Sequence, residues 1–204
     1  YTNAAGEQVE DQLQIALTIV DPTNGYVVAM IGGAGEKVVD RGWNWAVNAR
    51  QCGSAIKPLS VYAPALDAGV ITPASVIDDY PVEMLGGSIW PVNAYSGYRS
   101  IMTLQDAIRN SSNPTAVRTA IKLTLSASYA FMTENLSFTT LTNDDMTAAG
   151  ALALGGLSKG VTTREMAAAY ATFARGGVYT TPRTYTEVLD HNGNVILENK
   201  TESH

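Results

Sequence analysis

The stretch "GSAIKP", residues 53–58, sets a serine and a lysine three positions apart in a run that is otherwise apolar. On a helix, residues i and i+3 share a face, so the Ser54 hydroxyl and the Lys57 amine can come within hydrogen-bonding range. Lys57 is the only charged residue between Gln51 and Leu66. A lysine in apolar company must find partners or give up its proton more easily than a solvated one. A neutral amine beside a hydroxyl at a helix start is a workable base and nucleophile, and the peptide N–H groups of that first turn can stabilise an oxyanion. Pro58 lacks the N–H that would otherwise bond the Ser54 carbonyl, a cost with no purpose in a helix built only for stability. The same six residues also fit a plain helix cap at Ser54 and a lysine whose head reaches solvent.

A second cluster, "SSN" at 111–113, precedes Pro114. Alone it is a helix cap. Beside a serine–lysine pair it supplies what acyl transfer also needs: a second hydroxyl to relay a proton to the leaving amine, and an amide to fix the lysine and the substrate. Rival centres are weaker. Cys52 falls outside the Ser-Lys geometry and fits a small buried thiol. Asp78-Asp79 and Asp144-Asp145 invite a paired-carboxylate mechanism, but the second pair fits helix N-terminal charge. His191 sits in a predicted turn and His204 ends the chain, so a Ser-His-Asp triad has no support. One cysteine and two histidines argue against a structural zinc site.

The elements that must carry these residues follow from hydrophobic patterning. Residues 1–12 are polar and predict a linking or frayed segment. Two β-branched runs, Leu13–Asp21 and Tyr26–Ile31, flank a turn at Asn24-Gly25 and predict a hairpin, its first strand buried on both faces. A helix is expected from about Ser54 to Leu66, closed by Gly69, and residues 70–100 predict an irregular connection containing Trp90, Tyr95 and Tyr98. Two helical pieces break at "SSNP", with Pro114 opening the second. A small-residue helix follows in "NDDMTAAGALALGG", then one with a capping box at Thr162 and Glu165 that stops after Arg175. A second hairpin turns at Asn192-Gly193. Strands first, helices in the middle and strands again give an α+β pattern. The 204 residues suffice for a substantial core. The net charge of −6 and scattered Lys and Arg offer no basic stripe for nucleic acid.

Several motifs in order, "RQCGSAIKP", "VIDDYPV", "WPVNAYSGYRSIMTLQDAIRNSSNPTAVR" and "TTREMAAAYATFARGG", resemble the transpeptidase domain of class A (bifunctional) penicillin-binding proteins, from about Leu13 to Glu198. The resemblance implies the penicillin-binding protein/serine β-lactamase-like α+β fold, an antiparallel sheet flanked by helices. It implies that Ser54 is the acylated nucleophile and Lys57 its general base, with Ser111 shuttling a proton and Asn113 positioning Lys57 and the acyl chain. Ser112 takes the variable middle position. Trp90, Asn93 and Tyr95 fall in a segment that lies near the substrate groove in relatives; loop packing accounts for them equally well. Asp78-Asp79 matches a family segment without a catalytic role. The implied reaction is D,D-transpeptidation of peptidoglycan stem peptides at D-Ala-D-Ala, with β-lactams as substrate mimics and no metal or organic cofactor. The implied setting is the extracytoplasmic face of a bacterial membrane, anchored upstream and preceded by a glycosyltransferase domain.

One family motif has no counterpart. A K-T-G strand should face the nucleophile, and Lys200-Thr201-Glu202 lacks its glycine. The expectation is therefore a domain incomplete at its C-terminus over residues 13–204, completed by a separate or cleaved polypeptide bearing K-T-G. Without it the N-terminal hairpin would show a long apolar edge. Two alternatives remain: a D,D-carboxypeptidase or β-lactamase on the same fold, and a non-catalytic β-lactam-binding or interaction module.

Overall fold

A computed structural model of the chain describes residue 6 and residues 13–36, 40–200 and 202–204. The predicted linking segment 1–12 lies outside the described residues except for Gly6, as does Thr201 of the rejected K-T-E triplet. The chain forms two compact units: the described residues up to Ala49 together with Thr162–His204, and Arg50–Val161.

The first unit opens with strands β1 (Leu17–Val20) and β2 (Val27–Ile31), paired antiparallel with Leu17 opposite Ile31 and a bulge at Ile19/Val20. Their turn is built by Asp21, whose carboxylate accepts from the Thr23 amide (2.8 Å), the Thr23 hydroxyl (2.6 Å) and Asn24 Nδ2 (3.0 Å). β1 starts four residues later than the sequence predicts. Nor is it buried on both faces: Leu17 and Ile19 are 43% and 47% exposed, while their neighbours Thr18 and Val20 are half-buried.

In the second unit the predicted helix over 54–66 is three geometries in succession: a 3-10 turn (Gly53–Ile56), a π-helical turn (Pro58–Tyr62) and helix α1 (Ala63–Asp67). The segment expected to be irregular contains β3 (Val76–Asp79), β4 (Glu83–Leu85) and β5 (Ser88–Trp90), followed by β6 (Ser100–Thr103). β4 and β5 form a small hairpin, and β3 pairs antiparallel with β6 across some twenty residues. Next come α2 (Leu104–Arg109), α3 (Asn113–Leu123) and α4 (Leu125–Ala130). The small-residue helix is also broken, into a 3-10 turn at Asn143–Met146 and helix α5 (Ala149–Leu154). Val61, Tyr62, Leu104, Val117, Ala120 and Ala153 form the heart of this unit's core.

Back in the first unit, α6 (Thr163–Ala174) packs on β1 and carries the predicted capping box, Thr162 Oγ1 accepting from the Glu165 amide at 3.1 Å. β7 (Glu187–Leu189) and β8 (Val195–Glu198) make the expected second hairpin. All four strand pairs among the described residues are antiparallel and two-stranded, in keeping with the expected α+β class.

Two glycines press on the backbone that leads to Ser54. Gly155 ends α5 at φ 79°, and a Cβ there would lie 2.1 Å from the Gly53 carbonyl oxygen. Gly160, at φ 85°, would put its Cβ 2.1 Å from the Arg50 carbonyl carbon. Backbone cannot swing aside as a side chain can. Gly155→Ala should lower unfolding stability by about 1–3 kcal/mol from backbone conformation alone, and by more through the overlap. Gly156→Ala is the control, because its added methyl would meet nothing closer than 3.8 Å. Urea denaturation of both variants checks this, and equal midpoints would refute the close-approach account.

Candidate active site

The 3-10 turn explains the placing of a proline after Lys57. The Lys57 N–H bonds the Ser54 carbonyl, so that carbonyl does not need the N–H that Pro58 lacks. Beyond it the helix loosens, with the Ala63 N–H reaching back five residues to the Pro58 carbonyl. Because a 3-10 turn eclipses residues i and i+3, Ser54 and Lys57 line up along one edge more closely than on an α-helix. The segment is pinned from three sides. Ser60 Oγ donates to the Leu152 carbonyl of α5 (2.7 Å), Ser128 Oγ of α4 donates to the Ser60 carbonyl (2.6 Å), and the Tyr62 hydroxyl meets Thr115 Oγ1 of α3 at 3.1 Å.

At the two ends of this turn the environments differ. Ser54 is exposed, whereas Lys57 is 2% exposed. Its Nζ donates to the Ser111 carbonyl (2.7 Å), Ser111 Oγ (3.1 Å) and Asn113 Oδ1 (2.6 Å). An ammonium has three protons, and these three acceptors match them. Burial pulls the Lys57 amine down to about 8. At pH 7 it is then roughly 300-fold more often neutral than a lysine at 10.5. Losing one proton frees a lone pair that can accept from a hydroxyl.

All three acceptors come from the junction of α2 and α3, two from Ser111 in the turn and one from Asn113, the first residue of α3. Ser111 has φ 52°, the left-handed region that costs a non-glycine residue about 1–2 kcal/mol. That reversal lets its carbonyl and its hydroxyl both face the lysine. Ser112 is the N-cap of α3, accepting from the Thr115 amide at 3.3 Å, and Pro114 occupies the second helical position, not the first. The cap and the lysine clamp therefore coexist: Ser112 caps while Ser111 and Asn113 hold Lys57.

Asn93 touches this turn directly, its Oδ1 accepting from the Asn113 amide (2.9 Å) and its Nδ2 donating to Asp79 Oδ1 (3.0 Å) and the Gly97 carbonyl (3.3 Å). Asn113 Nδ2 donates to the Val92 carbonyl (2.6 Å). Tyr95 donates to Asp79 Oδ2 at 2.8 Å and lies under the Arg99 guanidinium, 4.6 Å from its ring centroid. Trp90 is half-buried, its indole over Gly150 of α5. The sequence therefore pointed to Lys57, Ser111 and Asn113, which meet, and to Ser54, one turn away. Asn93 and Tyr95 adjoin them through hydrogen bonds within the protein.

One residue's part in the site went unrecognised. Asp79 is fully buried and accepts four hydrogen bonds, from Ser112 Oγ (2.7 Å), Asn93 Nδ2, the Tyr95 hydroxyl and the Arg99 amide (2.7 Å). Burial alone would raise its carboxyl, but the donors from Asn93, Ser112, Arg99 and Tyr95 outweigh that and hold it below the usual carboxylate value. Asp78 is exposed, so the two are not a working pair. Nothing local marks Asp79, because its partners lie 14 to 33 residues away. Asp145 caps its own turn, accepting from the Thr142 amide and the Ser158 amide. Burial pushes the Cys52 thiol up to about 11, which leaves it protonated and a poor nucleophile. His191 and His204 belong to the other unit. Among the described residues no group of His, Cys, Asp or Glu could hold a metal ion, and no helix is long and apolar enough to cross a membrane.

The penicillin-binding protein transpeptidase domain family matches residues 15–203. Penicillin-binding protein 1A of Clostridium novyi is 40% identical over 204 residues, covering 96% of this chain and 23% of that protein. The same protein of Clostridium acetobutylicum is 36% identical over 199 residues, covering 92% of this chain and 24% of its own length. Among solved structures, penicillin-binding protein 1A from Haemophilus influenzae superposes with a TM-score of 0.74 at 30% identity, over 100% of this chain and 30% of that one. The PonA1 protein from Mycobacterium tuberculosis, in complex with penicillin V, also gives 0.74, at 25% identity over 90% of this chain and 49% of that one. The chain thus spans about a quarter of the length of these curated relatives.

The depressed Lys57 amine is directly measurable. Carbon-13 NMR of the lysine side chains should show one resonance titrating near 8 that disappears in Lys57→Ala. A Lys57 resonance that titrates at 10.5 would mean that the amine is solvated.

Proposed function

Since this chain belongs to the penicillin-binding protein transpeptidase family, we propose that it carries the acylation half-site of a D,D-transpeptidase. The family places it in the serine peptidase and acyltransferase class. The single observation that carries the finer proposal is the desolvated Lys57 amine, gripped by Ser111 and Asn113 three residues after the exposed Ser54.

In this mechanism neutral Lys57 takes the proton of Ser54 Oγ as the oxygen attacks the penultimate D-Ala carbonyl of a stem peptide. The carbon–oxygen bond to Ser54 forms, and the oxyanion is met by peptide N–H groups, including that of Ser54 in the opening turn. As the tetrahedral intermediate collapses, the C–N bond to the terminal D-alanine breaks. Lys57 returns its proton to that amine through Ser111 Oγ, which it touches at 3.1 Å. An amine of a second stem peptide then attacks the ester and releases Ser54. Asn113 holds Lys57 through Oδ1 and helps orient the acyl chain, and Trp90, Asn93 and Tyr95 border the groove. No metal or organic cofactor takes part. β-Lactams enter the same first step, their ring amide standing for the D-Ala-D-Ala bond. The full protein combines this activity with an upstream glycosyltransferase domain and membrane anchor, at the outer face of the bacterial membrane.

The test is acylation by a fluorescent penicillin, with the label located by mass spectrometry on the intact protein. Stable label on Ser54 is expected, absent from Ser54→Ala and slowed about 10²–10⁴-fold in Lys57→Ala. Rapid turnover of the label would instead identify a hydrolase, and no label at any concentration would point to a binding module or an incomplete domain. The acylation rate should climb with pH around a midpoint near 8, because the folded amine loses its proton there and only its neutral form is a base. A rate that is flat between pH 6 and about 9 would exclude Lys57 as the base.

A further inference from the structure

We infer that Asp79 is the positioning residue of this site: its buried carboxylate fixes the turn 111–113 from behind, and through that turn the acceptors that hold Lys57. It never touches Lys57 in this role and is not a catalytic residue. The proposal rests on the acyl-transfer reading above for its kinetic consequence, though not for its geometry.

Two short routes lead from Asp79 to the clamp. In the first, Ser112 Oγ donates its only proton to Asp79 Oδ1 at 2.7 Å, which fixes the residue lying between Ser111 and Asn113. The oriented hydroxyl keeps its lone pairs for the Thr115 amide, so the carboxylate also sets the start of α3. In the second, Asn93 Nδ2 donates to the same Oδ1, which turns Asn93 Oδ1 toward the Asn113 amide. Ser112 and Asn113 are thus both held by groups whose orientation one carboxylate oxygen decides. The other oxygen accepts from the Tyr95 hydroxyl and the Arg99 amide, which ties the 93–99 loop to the same point.

This arrangement demands an anion. Four donors converge on its two oxygens. Hydrogen bonds to a charged acceptor are the strong kind, and here they offset a burial that is otherwise costly. The left-handed Ser111 needs such reinforcement, because strained backbone persists only where its surroundings over-determine it. Replacing Asp79 by asparagine keeps the shape but turns one acceptor into a donor. The Tyr95 and Ser112 hydroxyls can rotate away from the conflict. The Arg99 amide cannot, and Asn93 cannot flip without losing Asn113. Either orientation of the new amide therefore opposes one fixed donor.

The test compares Asp79→Asn, Ser112→Ala and their double variant with the native protein, using fluorescent penicillin at varied concentration. A positioning role predicts a loss of tenfold or more in the limiting acylation rate for Asp79→Asn, with the dissociation constant of the first complex changed by less than about twofold. Ser112→Ala should lose less, and the double variant less than the product of the two, because Asp79 acts partly through Ser112. A native limiting rate in Asp79→Asn, or a loss that only matches its unfolded fraction, overturns the proposal. If Asp79→Asn does not fold, a native rate in Ser112→Ala overturns it instead. If the native protein itself is not acylated, the functional reading fails while the positioning is still tested. Hydrogen exchange at the Asn113 amide should then be faster in Asp79→Asn, or in Ser112→Ala, than in the native chain, and unchanged exchange there overturns it.

Discussion

An amine held out of water is the constraint on which this site depends. Lys57 cannot remain charged in apolar surroundings without acceptors, and it cannot be a base if those acceptors make the charge too comfortable. The structure meets both demands with neutral partners alone, two from Ser111 and one from Asn113. A carboxylate in their place would hold the proton on; bare hydrocarbon would expel the side chain to solvent. Neutral oxygens satisfy the geometry while burial keeps the proton loose.

The second layer of the design concerns helix winding. Overwinding before Lys57 and underwinding after it let one continuous segment present an eclipsed serine–lysine pair and still rejoin the core through Val61, Tyr62 and Ala65. Pro58 sits where those two geometries meet, the place in the segment where a missing N–H leaves the Ser54 carbonyl satisfied. What looks in sequence like a costly proline is a register change.

Much of this was legible beforehand, and the division follows the range of the interactions. The α6 capping box, the Asn24-Gly25 turn and the helix start at 111–114 are set by residues within four positions of one another, so their signals are written side by side. Ser54, Lys57, Ser111 and Asn113 were named because several motifs in order resemble one family, and the fold brings Lys57, Ser111 and Asn113 together. β3 to β6 could not, because each is three or four residues long and β3 finds its partner only across a turn-rich connection. Asp79 was passed over for the same reason. Beside Asp78 it reads as one of two surface acids, and only the fold brings Asn93, Tyr95, Arg99 and Ser112 around it.

The contact of Gly155 with Gly53 has a consequence for how such a site can change over generations. Backbone meets backbone there, with no side chain between them to lengthen, shorten or recharge. The strand of chain that delivers Ser54 therefore has no graded adjustment from that side: a substitution at Gly155 displaces it wholesale. Graded change is open elsewhere in the unit, where side chains do the holding: around Lys57 and in the loop that gathers at Asp79.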